Sequence, residues 1–105
     1  MAGFFPAITE RAVRINSLLC VGLDPHKEDL EKLSSSVSGY PAAAVKFCNA
    51  IVKATAEVAL CYKPNFAFFE ALGHPGIAAL EEVHHTVYAQ QLLFLYIFNT
   101  HVYRF

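Results

Sequence analysis

Charge is scarce in this 105-residue sequence: lysine and arginine contribute eight residues, aspartate and glutamate nine, and the formal net charge is −1. No basic run occurs, and Lys46, Lys53 and Lys63 stand apart, so the electrostatic footprint of a nucleic-acid partner is missing. Long apolar runs are lacking too. The longest near the C-terminus, Leu92 to Phe98, is far too short to cross a bilayer as a helix, and no membrane association is expected. The opening "MAGFFPAITERAVRINS" has neither the basic start nor the apolar core of a secretory signal, so a cytoplasmic protein is the expectation. Cysteine is limited to Cys20, Cys48 and Cys61, odd in number, widely spaced and set in apolar stretches. That pattern reads as buried reduced thiols rather than a disulfide or metal framework. The histidines His26, His74, His84, His85 and His101 offer no ligand pair at a metal spacing, and His84 and His85 fall on different sides of a helix. No glycine-rich phosphate loop is present, and Ser34, Ser35 and Ser36 form a polar loop rather than a nucleophile elbow.

What is present is an apolar chain of one small domain's length. Pro6 to Ser17 reads as a helix with Phe5, Ile8, Ala12 and Ile15 on one face and Glu10 and Arg14 paired four apart on the other. "SLLCVGLDP", Ser17 to Pro25, reads as a strand whose continuous apolar character suits a parallel sheet covered on both faces. A polar connection, "HKEDLEKLSSSVSGY", follows with a helical turn at its start. Pro41 to Ala59 is the best helix: Val45, Cys48, Ile51, Val52, Thr55 and Val58 form the inward stripe, and Lys46, Asn49, Lys53 and Glu57 the solvent side. A second buried strand, Ala59 to Tyr62, comes at once. "GHPGIAALEEVHHTV" then opens a helix with a proline in its first turn and an apolar stripe of Ile77, Leu80, Val83 and Val87. Alternating helices and strands predict an α/β fold with a parallel sheet and right-handed crossovers. Two strands do not make an independent sheet, so this is expected to be the first part of something larger.

Two side chains occupy the positions where such folds bind ligands, the carboxyl ends of consecutive strands. Asp24 closes the first strand in "VGLDP" and Lys63 closes the second before Pro64. Each has a plain reading, Asp24 as a turn residue before proline and Lys63 as a strand-end lysine reaching solvent. Asn65 reads equally as a turn former, and Glu70 as a cap or a solvated loop residue. Taken together, Asp24 and Lys63 are expected to face one another over one pocket.

"FFPAITERAVRINSLLCVGLDP", with "KATAEVALCYKPNFAFFEALGHPGIAALEEV" at the right separation, resembles the N-terminal part of orotidine 5′-phosphate decarboxylase, in the branch with the Lys-Pro-Asn and Ala-Phe-Phe-Glu signatures. The resemblance covers Gly3 to Val87. It implies the N-terminal portion of a (β/α)8 TIM barrel, truncated to about two βα units with a leading helix. It also implies the family reaction, cofactor-free loss of CO2 from orotidine 5′-monophosphate to give UMP, and the family dimer. In that family Lys63 matches the first lysine of an alternating Lys-Asp-Lys-Asp array. Asp24 matches an aspartate that holds the ribose hydroxyls, and Asn65 and Glu70 match signature positions, Asn65 being taken as substrate-binding. No metal is implied. The rest of the array belongs to an Asp-x-Lys-x-x-Asp motif, whereas this sequence has only Asp24 and Asp29 as aspartates and no lysine after Lys63. The chain is therefore expected to be inactive by itself, with binding to full-length subunits as the alternative.

The last stretch breaks composition. Residues 88–105, "YAQQLLFLYIFNTHVYRF", hold six of the fourteen aromatic residues and a single charged one, Arg104. A loop after a strand normally carries polar turn residues. The chain accordingly divides into 1–87, the barrel-like part, and 88–105, an apolar tail whose composition fits a shifted reading frame or unspliced sequence better than a third strand.

Overall fold

Helix α1 runs from Phe4 to Ile15 and stops where Asn16 turns into the left-handed region, φ 51°, its N–H donating to the Ala12 carbonyl. This computed structural model describes residues 3–94. Strand β1, Leu19–Leu23, follows, then α2, Lys27–Leu33, extended by a 3₁₀ turn at Ser34–Ser36. Helix α3 is Tyr40–Thr55, with Pro41 in its first turn, and leads into β2, Ala59–Pro64. A short α4, Phe66–Glu70, and a long α5, Gly73–Ala89, complete the order. Two differences from the sequence reading are of length: α2 makes a full helix where one turn was expected, and α4 was not foreseen. Among the described residues no helix is long and apolar enough to cross a membrane.

β1 and β2 pair in parallel, with Cys20 opposite Cys61, Val21 opposite Tyr62, Gly22 opposite Lys63 and Leu23 opposite Pro64. Ser17 pins the entry: its hydroxyl donates to the Val58 carbonyl at 2.6 Å and accepts from the Leu19 N–H. On its other side β2 meets the chain returning from α5, the Tyr62 N–H donating to the Leu93 carbonyl at 2.9 Å in a parallel bridge to Phe94. The continuation, residues 95–105, which includes most of the expected tail as well as His101 and Arg104, lies outside the described residues.

One face of this sheet holds the core. Leu23 and Tyr62 from the strands meet Cys48 and Val52 of α3, Phe69 of α4, and Leu80, Val83 and Val87 of α5. Tyr62 is fully buried, and its hydroxyl shares a 2.8 Å hydrogen bond with Thr55 and donates to the Val52 carbonyl, so the one polar atom of a large core ring is satisfied. Burial raises the phenol above its ordinary range, with the Thr55 hydrogen bond opposing. Among the described residues the opposite face is open along β1 but not along the first half of β2, where Ala59 and Cys61 are buried, and for β1 the expectation of a strand covered on both sides is corrected. Leu19 is 47 % exposed and Cys20 and Gly22 are exposed, because β1 is the edge strand of the described sheet and the core lies on its other face. Cys20 is accordingly not a buried thiol, whereas Cys48 and Cys61 are.

Other corrections follow from where the elements stop. α3 ends at Thr55, four residues before the expected Ala59, so Val58 lies in the connecting turn and is 51 % exposed. Asn49, placed on the solvent side by periodicity, is half-buried with an Oδ1 that has no hydrogen-bond partner. In α5 the buried stripe is Gly76, Ala79, Leu80, Val83 and Val87, leaving Ile77, one residue and about 100° off it, partly exposed. Phe5 is exposed as well, since it is the middle of α1 that reaches the sheet.

The residue that makes that contact is Arg11, read from sequence as neither core nor site. It is 8 % exposed, and its Nε and Nη2 donate to the Ala59 carbonyl at 3.1 and 2.8 Å while Nη2 also reaches the Ala56 carbonyl at 2.9 Å. A cation thus bridges the C-cap carbonyl of α3, where the helix dipole is negative, and the first carbonyl of β2. Arg11→Met keeps the apolar stem and leaves those carbonyls without their donor. Hydrogen bonds from charged groups contribute about 1.5–3 kcal/mol, so a loss of about 2 kcal/mol is expected in urea unfolding. A change below about 0.5 kcal/mol would mean that water replaces the guanidinium without cost.

Candidate functional site

The two strand ends are brought together by the ladder. Gly22 and Lys63 are register partners, so Lys63 shares a face with Cys20 and Gly22 of β1, the face turned away from the helices. Pro64 removes the next ladder donor, and Asn65 takes over: its N–H donates to the Leu23 carbonyl at 3.1 Å. Asp24, immediately beyond β1, folds its carboxylate back over Gly22. A Cβ on that glycine would stand 3.0 Å from Asp24 Oδ2, so the absence of a side chain is what leaves room for the carboxylate there. Asp24 and Lys63 are thereby placed on the same face at the carboxyl ends of adjacent parallel strands.

They do not touch. Ion pairs within 4.0 Å among the described residues include Glu10–Arg14, Lys27–Glu31 and Glu81–His85, all on exposed helix surfaces, and Asp24–Lys63 is not among them. Lys63 is exposed and Asp24 half-buried, and the two side chains stand apart on that face.

Asn65 and Glu70 fare differently. Asn65 is the N-cap of α4, its Oδ1 accepting from the Ala67 N–H at 3.3 Å, as the turn-forming alternative required. Glu70 ends α4 and is exposed. Two residues near the site were not singled out by sequence. His26 donates through Nδ1–H to the Asp24 carbonyl, 2.8 Å away, and its ring packs at 4.5 Å on Phe68, tying the loop after β1 to the helix after β2. The only signal for it was its place two residues beyond Asp24. Cys48 lies beneath the same loop: burial first, then the negative charge of Asp24, push its thiol up to about 12, which makes it an inert core residue.

Metal binding through three or more His, Cys, Asp or Glu side chains has no candidate cluster among the described residues. His84 and His85 point apart as expected, His84 stacking at 5.0 Å on Phe94 and His85 lying 3.8 Å from Glu81.

Comparison with known proteins gives a consistent set of relatives. No family model matches the chain. It is 49% identical over 73 residues to the orotidine 5′-phosphate decarboxylase of Leptospira interrogans, a match that takes in 70% of this chain and 26% of that protein. The structure of Leishmania donovani OMP decarboxylase superposes with a TM-score of 0.71 at 40% identity, over 94% of this chain and 36% of that one. Leishmania donovani UMP synthase does so with a TM-score of 0.72 at 42% identity, over 91% and 18%. The chain spans about a quarter of the length of the curated relatives it matches.

Proposed function

Because this chain is a partial member of the orotidine 5′-phosphate decarboxylase family, built as βα units of its (β/α)8 barrel, we propose that Asp24 and Lys63 are the share of a decarboxylase site that it carries. The observation behind this reading is the Gly22–Lys63 register with the Asp24 carboxylate folded over Gly22. In the reaction, orotidine 5′-monophosphate loses CO2 from C6 of the pyrimidine and becomes UMP. The carbanion left at C6 has little resonance stabilisation, so a positive charge held beside it lowers the barrier directly. Lys63 contributes positive charge to that site as the first lysine of the array, the proton donor belonging to the Asp-x-Lys-x-x-Asp motif that this sequence lacks, and Asp24 accepts hydrogen bonds from the ribose hydroxyls. Asn65 acts by holding the turn that follows Lys63. No cofactor or metal enters this chemistry.

The 105-residue chain does not turn over by itself in this reading. It contains no Asp-x-Lys-x-x-Asp, so the proton donor and the two aspartates that complete the array are lacking. The purified chain is expected to release no CO2 from orotidine 5′-monophosphate above the buffer rate. A chimera of the Leptospira enzyme carrying this chain's matching 73-residue stretch is expected to decarboxylate. Turnover by the chain alone would overturn the first statement, and a folded but inactive chimera the second. The same proposal takes residues 1–87 as the family-derived part, residues 88–105 as a divergent tail, and the cytoplasm as the location.

A second reading has an observation of its own. Phe5 and Val13 of α1 are 78 % and 79 % exposed, and Leu18 beside β1 is 83 % exposed, an apolar flank next to a strand edge that has no partner among the described residues. It suits a non-catalytic product that binds full-length decarboxylase subunits, and co-purification with an intact decarboxylase would favour it.

A further inference from the structure

The open face of the sheet carries a second pair of side chains that decarboxylation does not use. The register sets Cys20 of β1 opposite Cys61 of β2, and neighbouring strands run about 4.8 Å apart, so the two side chains leave the same face as immediate neighbours. Both thiols are free. Their surroundings differ in a useful way, Cys20 being exposed and Cys61 3 % exposed, so the pair has one side open to entry and one side dry.

We propose that Cys20 and Cys61 together form a two-coordinate site for a soft monovalent cation of the Cu(I) or Ag(I) type. Thiolate sulfur selects soft ions. Zinc needs four ligands, or three and a water, and the described residues place no third His, Cys, Asp or Glu in a cluster with this pair. A linear sulfur–metal–sulfur unit needs two donors and spans more than a sulfur–sulfur bond. That suits neighbouring parallel strands better than a disulfide, whose Cβ atoms must come to about 3.8 Å. The binding step balances without electron transfer: the cation accepts a lone pair from each sulfur, and two thiol protons pass to solvent. The resulting bis-thiolate unit carries one net negative charge, and Lys63, two residues beyond Cys61 on the same face, supplies a nearby positive charge. Burial foremost, with the neighbouring Cys20 adding to it, pushes the Cys61 thiol up to about 11. In the metal-free protein it is therefore protonated and a poor nucleophile at neutral pH, whereas a coordinating cation displaces the proton outright.

The test is an anaerobic titration of the 105-residue chain with Cu(I) delivered from a chromophoric chelator, followed by native mass measurement. One Cu(I) per monomer is expected, displaced by one equivalent of Ag(I). Cys20→Ser and Cys61→Ser should each weaken binding by on the order of 100-fold or more, and Cys48→Ser should leave it unchanged. Cys20 is exposed, so Cys20→Ser is not expected to disturb folding, and circular dichroism checks this. Retention of the tight site in Cys20→Ser, its loss in Cys48→Ser, or a metal-bridged dimer would each overturn the assignment.

Discussion

Gly76→Ala is expected to abolish the cooperative melt of this protein. Gly76 lies in the first turn of α5, fully within the helix and buried against α4. A Cβ built there overlaps the Phe69 carbonyl oxygen and comes to 2.6 Å from Leu72 Cβ and 3.0 Å from the Phe69 carbonyl carbon. Two effects oppose each other. Alanine is the better helix former by about 1 kcal/mol. Against this, the atoms in the way are largely backbone, so relief requires α4 and α5 to part, and overpacking of this kind costs about 1–3 kcal/mol or more even where side chains can yield. The contact also anchors Phe69, one of the largest fully buried side chains. A net loss of roughly 3 kcal/mol or more is a large share of what a small domain possesses. Far-ultraviolet circular dichroism against temperature reads the outcome directly. An unchanged or raised midpoint would show that α4 and α5 do not pack through this glycine.

The other large effect concerns chemistry. In the active chimera, Lys63→Ala is expected to lower kcat by roughly 10²–10³-fold, because the array loses a positive charge held beside C6 while the proton donor of the Asp-x-Lys-x-x-Asp motif is kept. KM should change far less, since the substrate's ground state carries no carbanion for Lys63 to meet. Lys63→Arg should not restore the rate: a guanidinium is larger and planar and spreads its charge over a rigid fork, where the site is built for a compact ammonium. Steady-state kinetics on the three proteins, with the phosphate-bearing substrate saturating, separate these outcomes. A fall of less than tenfold in kcat would remove Lys63 from the reacting centre.

Much of this architecture is written in short-range pattern. The 3.6-residue periodicity of α3 and α5, the apolar runs of β1 and β2, and Pro64 closing β2 are local features, and each element stands where they place it to within a few residues. The functional pair was legible for the same reason, since the end of a strand is marked by its own neighbours, Pro25 after Asp24 and Pro64 after Lys63. Asn65 shows the limit of that reading. A residue after Lys-Pro has the same local signature as a cap or as a ligand, and its bond to the Ala67 N–H identifies the cap.

What the sequence alone determined is the alternation of helices with apolar strands, the parallel α/β class that follows from it, and the two charged residues at the strand ends. Tertiary structure decided everything that depends on which surface meets which. Arg11 has no periodic signal, yet it is buried because the middle of α1 crosses the carbonyls at the start of β2. Cys20 sits in an apolar run that fits a fully covered strand, yet it is exposed because β1 is the edge strand of the described sheet and the core lies on its other face. The Cys20–Cys61 and Gly22–Lys63 pairs arise from register, a relation between residues some forty positions apart. Periodicity reports how a segment partitions between apolar and polar surroundings. It does not report which segment supplies those surroundings, and that is fixed when the chain closes on itself.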